Sequence, residues 1–178
     1  MSNFPFRVDH GRRRALAVLA AAAMASLAGR ATGAGPATPA IGTPLRLPDT
    51  QLLDGKLLRA SDLAGKVVLV KFWATWCPIC VAEMPALQRF YAAHRGRGFE
   101  ALALSLDFAA PEVELFWDGS GYTFASGMNT PAHKEVFGQI FGTPTFFLLD
   151  RQGVLRQRVL GAFSPPRMDE LILPLLRS

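Results

Sequence analysis

From Val67 to Trp73 the chain has one polar side chain, Lys71, among six large apolar ones. A run of this kind, without alternation, predicts a strand buried on both faces, as in a sheet with helices packed on either side. From Trp73 the chain reads Trp-Ala-Thr-Trp-Cys-Pro-Ile-Cys, and a helical pattern follows from Pro78 to His94. Cys77 and Cys80 are the only cysteines in the 178 residues. Any fold of this chain has to set two thiols, one helical turn apart, where a buried strand hands over to a helix.

The remaining pattern predicts one α/β domain. Hydrophobic residues make up 50% and charged residues 19% of the chain, which excludes a disordered polymer. Two cysteines are too few for a disulfide scaffold. Asp54-Gly55, with leucines on both sides, predicts a small hairpin. Ser61-Asp62-Leu63 reads as a short helical turn, and Ala101 to Leu106 as a second buried strand. Pro111 to Trp117 and Pro131 to Phe141 read as helices, each opened by a proline at a tolerated early position. Thr145 to Leu149 and Val154 to Leu160 read as strands flanking an Asp150-to-Gly153 turn, and Pro166 to Leu176 as a closing helix. The order β-α-β-α-α-β-β-α implies a mixed sheet flanked by helices, with the last hairpin as an antiparallel edge.

The formal charge of +5 suggests an acidic partner, but much of it sits at the front of the chain. Arg7, Arg12, Arg13 and Arg14 precede residue 29, against one acid, Asp9. Without residues 1–28 there remain 15 basic and 13 acidic side chains, a net of +2, and no basic stripe with interleaved aromatics. This excludes a nucleic-acid surface. The first 28 residues read as an address: an arginine-ended start, an uncharged stretch from Ala15 to Gly29, and small residues at Ser26 and Ala28 before a cut. As a helix that stretch reaches only about 22 Å, short of a roughly 30 Å hydrocarbon core. We expect residues 1–28 to be a signal peptide or a membrane anchor through residues 15–29, residues 29–43 a linker, and residues 44–178 the folded domain.

The thiolate is the nucleophile in disulfide exchange, so what lowers a cysteine pKa decides the roles. Pro78 suits the first helical position, which makes Cys77 the N-cap, facing free backbone N–H groups and the positive end of the helix dipole. Thiols in such places fall from about 8.5 to about 3.5–7.5. Cys80 lies on the stripe Cys80, Met84, Leu87 and Tyr91, which recurs at helical spacing and should face the core. Cys77 is therefore expected to attack and Cys80, shielded, to resolve the mixed disulfide. A zinc site needs two more ligands, and the chain offers only His10, His94 and His133. No metal or cofactor is expected.

Glu83, three residues after Cys80, flanks the same helical face and can serve as general base for the Cys80 proton. Lys71 has two readings: it points toward the Cys80 side and modulates that thiol's proton, or its stem runs along apolar surface while its head stays in water, and the second is preferred. Thr143-Pro144 opens a strand, where proline is acceptable. A cis bond there would offer the Thr143 backbone to an extended substrate. Trp76 is placed on an apolar docking rim with Pro78, and Trp73 in the core.

Three segments together resemble the thioredoxin superfamily, specifically its exported TlpA/ResA-like branch. They are Gly65 to Cys80, Glu83-Met84-Pro85, and Gly142-Thr143-Pro144-Thr145-Phe146-Phe147-Leu148-Leu149-Asp150, with Leu47-Pro48-Asp49 and Asp54-Gly55-Lys56 ahead of them. The resemblance implies a thioredoxin fold with an N-terminal hairpin extension and a central insertion, and a cis proline at Pro144. It implies thiol-disulfide exchange with exported proteins in the periplasm, a thiol electron donor such as a membrane thiol reductase, and cytochrome c maturation as one task. The glutamate matching Glu83 is linked to the active site in that branch. The general thioredoxin pattern has a buried aspartate where Lys71 stands, so proton handling by that route is absent. Pro78-Ile79 between the cysteines resembles the copper-sensitivity-suppressor-like (ScsD-like) variant and departs from the commoner pairs. Two alternatives use the same residues: a thiol peroxidase, which wants a hydroxyl where Ala74 stands, and a soft-metal-binding module.

Overall fold

All seven residues of the apolar run Val67–Trp73 form one fully buried strand. A computed structural model describes residues 36–177. The leader read at residues 1–28 and the linker up to residue 35 lie outside the described residues. In chain order the elements are β1 (Thr50–Gln51), β2 (Leu57–Leu58), a 3-10 turn (Ala60–Leu63), β3 (Val67–Trp73), α1 (Pro78–His94), a second 3-10 turn (Arg95–Arg97), β4 (Phe99–Ser105), α2 (Ala110–Ser120), β5 (Ala125–Met128), α3 (Pro131–Phe137), β6 (Thr145–Leu149), β7 (Leu155–Leu160) and α4 (Pro165–Ile172).

β3 is the middle of a five-stranded sheet of order β5-β4-β3-β6-β7. It runs parallel to β4, with Val67 opposite Phe99 and Trp73 opposite Ser105. It runs antiparallel to β6, with Phe72 opposite Thr145. Side chains of a strand alternate between faces. Val67, Leu69 and Trp73 accordingly join one core with Met84 and Leu87 of α1, Val113 of α2 and Met168 and Ile172 of α4. Val68, Val70 and Phe72 join a second core with Phe137 of α3 and Leu58 of the hairpin. Fully burying a side chain of this size contributes about 1.5–3 kcal/mol, so β3 anchors both layers. β7 closes the antiparallel edge, and its alternating exposure is that of a strand covered on one side.

The mixed sheet, hairpin and helices follow the predicted architecture, with three local differences. Helix α4 ends at Ile172, short of the predicted Leu176, where Pro174 has no N–H to continue the helix. The strand β5 is not in the sequence reading, because Ala-Ser-Gly-Met has no β-branched or aromatic residue to mark it. It exists because β4 offers an open parallel edge, paired from Leu102–Ala125 to Ser105–Met128. Gly127 also lets the hairpin close over it: a Cβ there would meet the Gln51 carbonyl oxygen at 2.6 Å. Helix α3 stops at Phe137, short of the predicted Phe141, because Gly138 leaves the helix at φ 73°.

The hairpin is pinned to α3 by a buried histidine. His133 Nδ1 accepts from the Thr130 N–H at 3.0 Å, which leaves the ring proton on Nε2, 3.0 Å from Thr50 Oγ1. Thr50 Oγ1 in turn donates to the Pro48 carbonyl at 3.1 Å. Burial lowers the His133 pKa from 6.5 to about 4, so the ring is neutral near pH 7.

Candidate active site at the strand-to-helix junction

The chain leaving β3 is held at its first turn. The Trp73 carbonyl accepts from Leu106 N–H at 2.8 Å, and Cys77 N–H donates to the Ala74 carbonyl at 3.2 Å. Asp107, just beyond β4, takes the Thr75 N–H on Oδ2 at 3.0 Å and the Thr75 hydroxyl on Oδ1 at 2.6 Å. Ser105 Oγ donates to Asp107 Oδ2 at 2.6 Å. The Thr75 hydroxyl is thus engaged with Asp107.

Cys77 is the N-cap of α1, with Pro78 at the first helical position. The two sulfurs are joined in a disulfide with 5.2 Å between the Cα atoms. Cys80 N–H points at Cys77 Sγ, 3.3 Å away, so the unused donors of the helix start face the Cys77 sulfur. Cys77 is 6% exposed and Cys80 0%. Beside them Trp76, Pro78 and Ile79 are exposed, while Trp73 is buried in the core.

Lys71 overturns its surface reading. It is 0% exposed, and its Nζ donates to the Cys80 carbonyl at 2.9 Å and to Glu83 Oε2 at 3.2 Å. Alternation places it on the face of Leu69 and Trp73, and α1 covers that face, so its stem finds no route to water. The ammonium lies 5.2 Å from the Phe146 ring centroid. Burial lowers the Lys71 pKa below the ordinary lysine value, and the Glu83 carboxylate partly opposes that shift. Glu83 sits behind Cys80. Its Oε1 accepts from the Phe163 N–H at 2.5 Å, tying α1 to the loop before α4.

The Thr143–Pro144 bond is cis, and Pro144 is buried. Because Phe72 pairs with Thr145, the Gly142–Pro144 segment lies at the end of the sheet from which Ala74 to Cys77 emerge. Thr145 Oγ1 closes that turn on the Gly142 carbonyl at 2.6 Å. Among the described residues, neither the N–H nor the carbonyl of Thr143 has a hydrogen-bond partner. The fold brings Trp76, Cys77, Pro78, Cys80, Glu83, Thr143 and Pro144 to this one end.

Sequence reading missed three features of the site. Asp107 had a signal, an acid directly after a buried strand. The Phe163 N–H had none, since its pairing with Glu83 spans 80 residues. Phe108 and Phe141, exposed in the loops after β4 and before β6, stand at the same end of the sheet, and the sequence pattern assigns neither of them to the site.

Residues 40–172 match the family model described as Redoxin. The chain belongs to the redoxin family. This redoxin is 34% identical over 128 residues to the thiol-disulfide oxidoreductase ResA of Oceanobacillus iheyensis, covering 68% of this chain and 67% of that protein. It is 33% identical over 123 residues to the thiol-disulfide oxidoreductase ResA of Bacillus anthracis, covering 66% and 68%. Its fold matches a thioredoxin-family thiol:disulfide interchange protein from Chlorobium tepidum TLS with a TM-score of 0.67 at 26% identity, covering 82% of this chain and 99% of that one. This redoxin is a TlpA/ResA-like member of the thioredoxin superfamily and a thiol-disulfide oxidoreductase, and the Cys77–Cys80 disulfide fits its redox pair.

Proposed function

We propose that this redoxin is exported and reduces disulfides of exported proteins, with Cys77 attacking and Cys80 resolving. The observation that carries the roles is the asymmetry of the pair: Cys77 caps the helix at the surface end, whereas Cys80 is 0% exposed behind it. In the reduced enzyme the Cys77 thiolate attacks a substrate disulfide, forming a mixed disulfide and expelling one substrate thiolate. Cys80 then loses its proton to Glu83 and attacks Cys77 Sγ. The Cys77–substrate bond breaks, two electrons have passed to the substrate, and the second substrate thiolate leaves and takes a proton. A thiol donor, of the membrane thiol-reductase kind, returns the enzyme to its dithiol.

An extended substrate pairs with the open N–H and carbonyl of Thr143 beside Pro144, and packs on Trp76 and Pro78. The leader pattern supports a periplasmic location, with residues 1–28 as a cleaved signal or an anchor, residues 29–43 as linker and residues 44–178 as the domain. Among the described residues no helix is long and apolar enough to cross a membrane. Apocytochrome c is one substrate class that the TlpA/ResA-like branch suggests.

The test of the roles is trapping with an unfolded, disulfide-bonded peptide. Cys80→Ser should accumulate the mixed disulfide and Cys77→Ser none; equal trapping by both overturns the assignment. The direction is tested by equilibrium with glutathione. A midpoint below about −200 mV supports a reductase, and one near about −120 mV an oxidant.

A further inference from the structure

Lys71 is the buried ionisable group that the exchange steps above leave unused. Its position is built, because three groups from two separate elements converge on the ammonium. The carbonyl of Cys80 and the carboxylate of Glu83 come from α1, and the Phe146 ring from β6. Across the other side of β3 its register partner is Ala103 of β4, which brings no charge. The loop before α4 reaches the cluster only through the Phe163 N–H on Glu83. Among the described residues the titratable side chain in contact with the Lys71 ammonium is thus Glu83, and the backbone carbonyl of Cys80 joins it from the same helix.

We propose that Lys71 is a positioning residue that sets the proton affinity of Cys80, and through it the midpoint potential of the Cys77–Cys80 pair. The inference rests on the proposed role of Cys80 as the resolving thiol. Reduction turns the disulfide into two sulfurs that bind protons or carry negative charge. In an interior with little water, a cation hydrogen-bonded to the Cys80 carbonyl favours the thiolate of that residue. What stabilises the reduced form raises the potential. Glu83 has the opposite sign and sits on the same ammonium, so the two side chains act against each other. Lys71 also holds Glu83 Oε2 while Phe163 holds Oε1, which keeps the carboxylate behind Cys80.

The signs give the test. Lys71→Met leaves the Glu83 carboxylate buried without its cation; Glu83→Gln leaves the ammonium without its anion. Relative to the unaltered protein, the equilibrium constant of the pair against glutathione at pH 7 should shift about tenfold toward the disulfide in Lys71→Met. It should shift about tenfold toward the dithiol in Glu83→Gln. Tenfold is about 30 mV for a two-electron couple. The double variant should return to within about threefold of the starting value, because the two charges are removed together. The pH at which Cys80 becomes alkylatable, read in a Cys77→Ser background, should rise in Lys71→Met.

Shifts of the same sign in both single variants, or an unchanged potential and alkylation profile in Glu83→Gln, overturn the proposal. The second outcome decides it even if Lys71→Met does not fold. Trapping by Cys80→Ser separates the two claims. Equal trapping by both cysteine variants sinks the role assignment, whereas normal trapping with unmoved potentials sinks the role of Lys71 alone.

Discussion

Asp107 grips Thr75 at two points, its Oδ2 on the backbone N–H at 3.0 Å and its Oδ1 on the hydroxyl at 2.6 Å. Thr75 is two residues before Cys77, on the segment that carries the redox pair out of β3. Asp107 belongs to the neighbouring strand's exit. One side chain therefore ties the ends of β3 and β4 together where the redox pair begins, and a buried carboxylate that accepts several hydrogen bonds makes a stiff tie.

Asp107→Ala should destabilise the oxidised protein by about 2–3 kcal/mol, because hydrogen bonds to charged groups contribute about 1.5–3 kcal/mol each and are not additive. Thr75→Val, which keeps the shape and the backbone bond, should cost about 1–2 kcal/mol. Urea unfolding under oxidising conditions measures both. Equal stability of all three proteins would show the tie to be dispensable.

In the reduced protein, alkylation near pH 7 should modify Cys77 at least about tenfold faster than Cys80, because the helix N-terminus favours the Cys77 thiolate. Mass spectrometry of partially alkylated protein gives the ratio. Equal rates that rise together only in strong base would remove the basis for separate roles.

Glu83→Gln should slow release of the second substrate thiol near neutral pH by about 100-fold, the low end for general-base catalysis, with the first attack by Cys77 little changed. Stopped-flow release from a preformed mixed disulfide reads the step. An identical rate-versus-pH curve would remove Glu83 as the base for Cys80.

His133 makes stability depend on pH in a defined window. Its folded-state pKa is about 4 against an ordinary 6.5, because burial disfavours the charged ring. Between those values the unfolded chain binds more protons than the folded one, so stability falls as pH drops from 6.5 toward 4 and is regained as pH rises. The shift corresponds to about 3 kcal/mol across the window. Urea melts at pH 7 and pH 4 should show that loss in the unaltered protein over and above the loss in His133→Gln. Equal losses in the two proteins would place the ring's titration elsewhere.

Much of this protein is written in local pattern. The buried strand Val67–Trp73 follows from an unbroken apolar run, and the helix start at Cys77-Pro78 from capping chemistry. The inward face of Cys80, Met84, Leu87 and Tyr91 follows from 3.6-residue spacing. These are properties of neighbouring residues, and the redox chemistry sits within them, so the function class was legible before any fold was known.

What local pattern leaves open is decided by which elements meet. Period-two alternation groups Lys71 with Leu69 and Trp73, but only the packing of α1 over that face makes the lysine buried and places it on Cys80 and Glu83. Strand β5 carries no strand signal of its own and is made by the open edge of β4. Asp107 reaches Thr75 across 32 residues, and the Phe163 N–H reaches Glu83 across 80. The amino-acid sequence by itself determined the redox pair and the elements that hold it, because those depend on short-range periodicity and capping. The tertiary structure alone decided the electrostatic setting of the pair, because charge and hydrogen bonding act between groups that are close in space and distant along the chain.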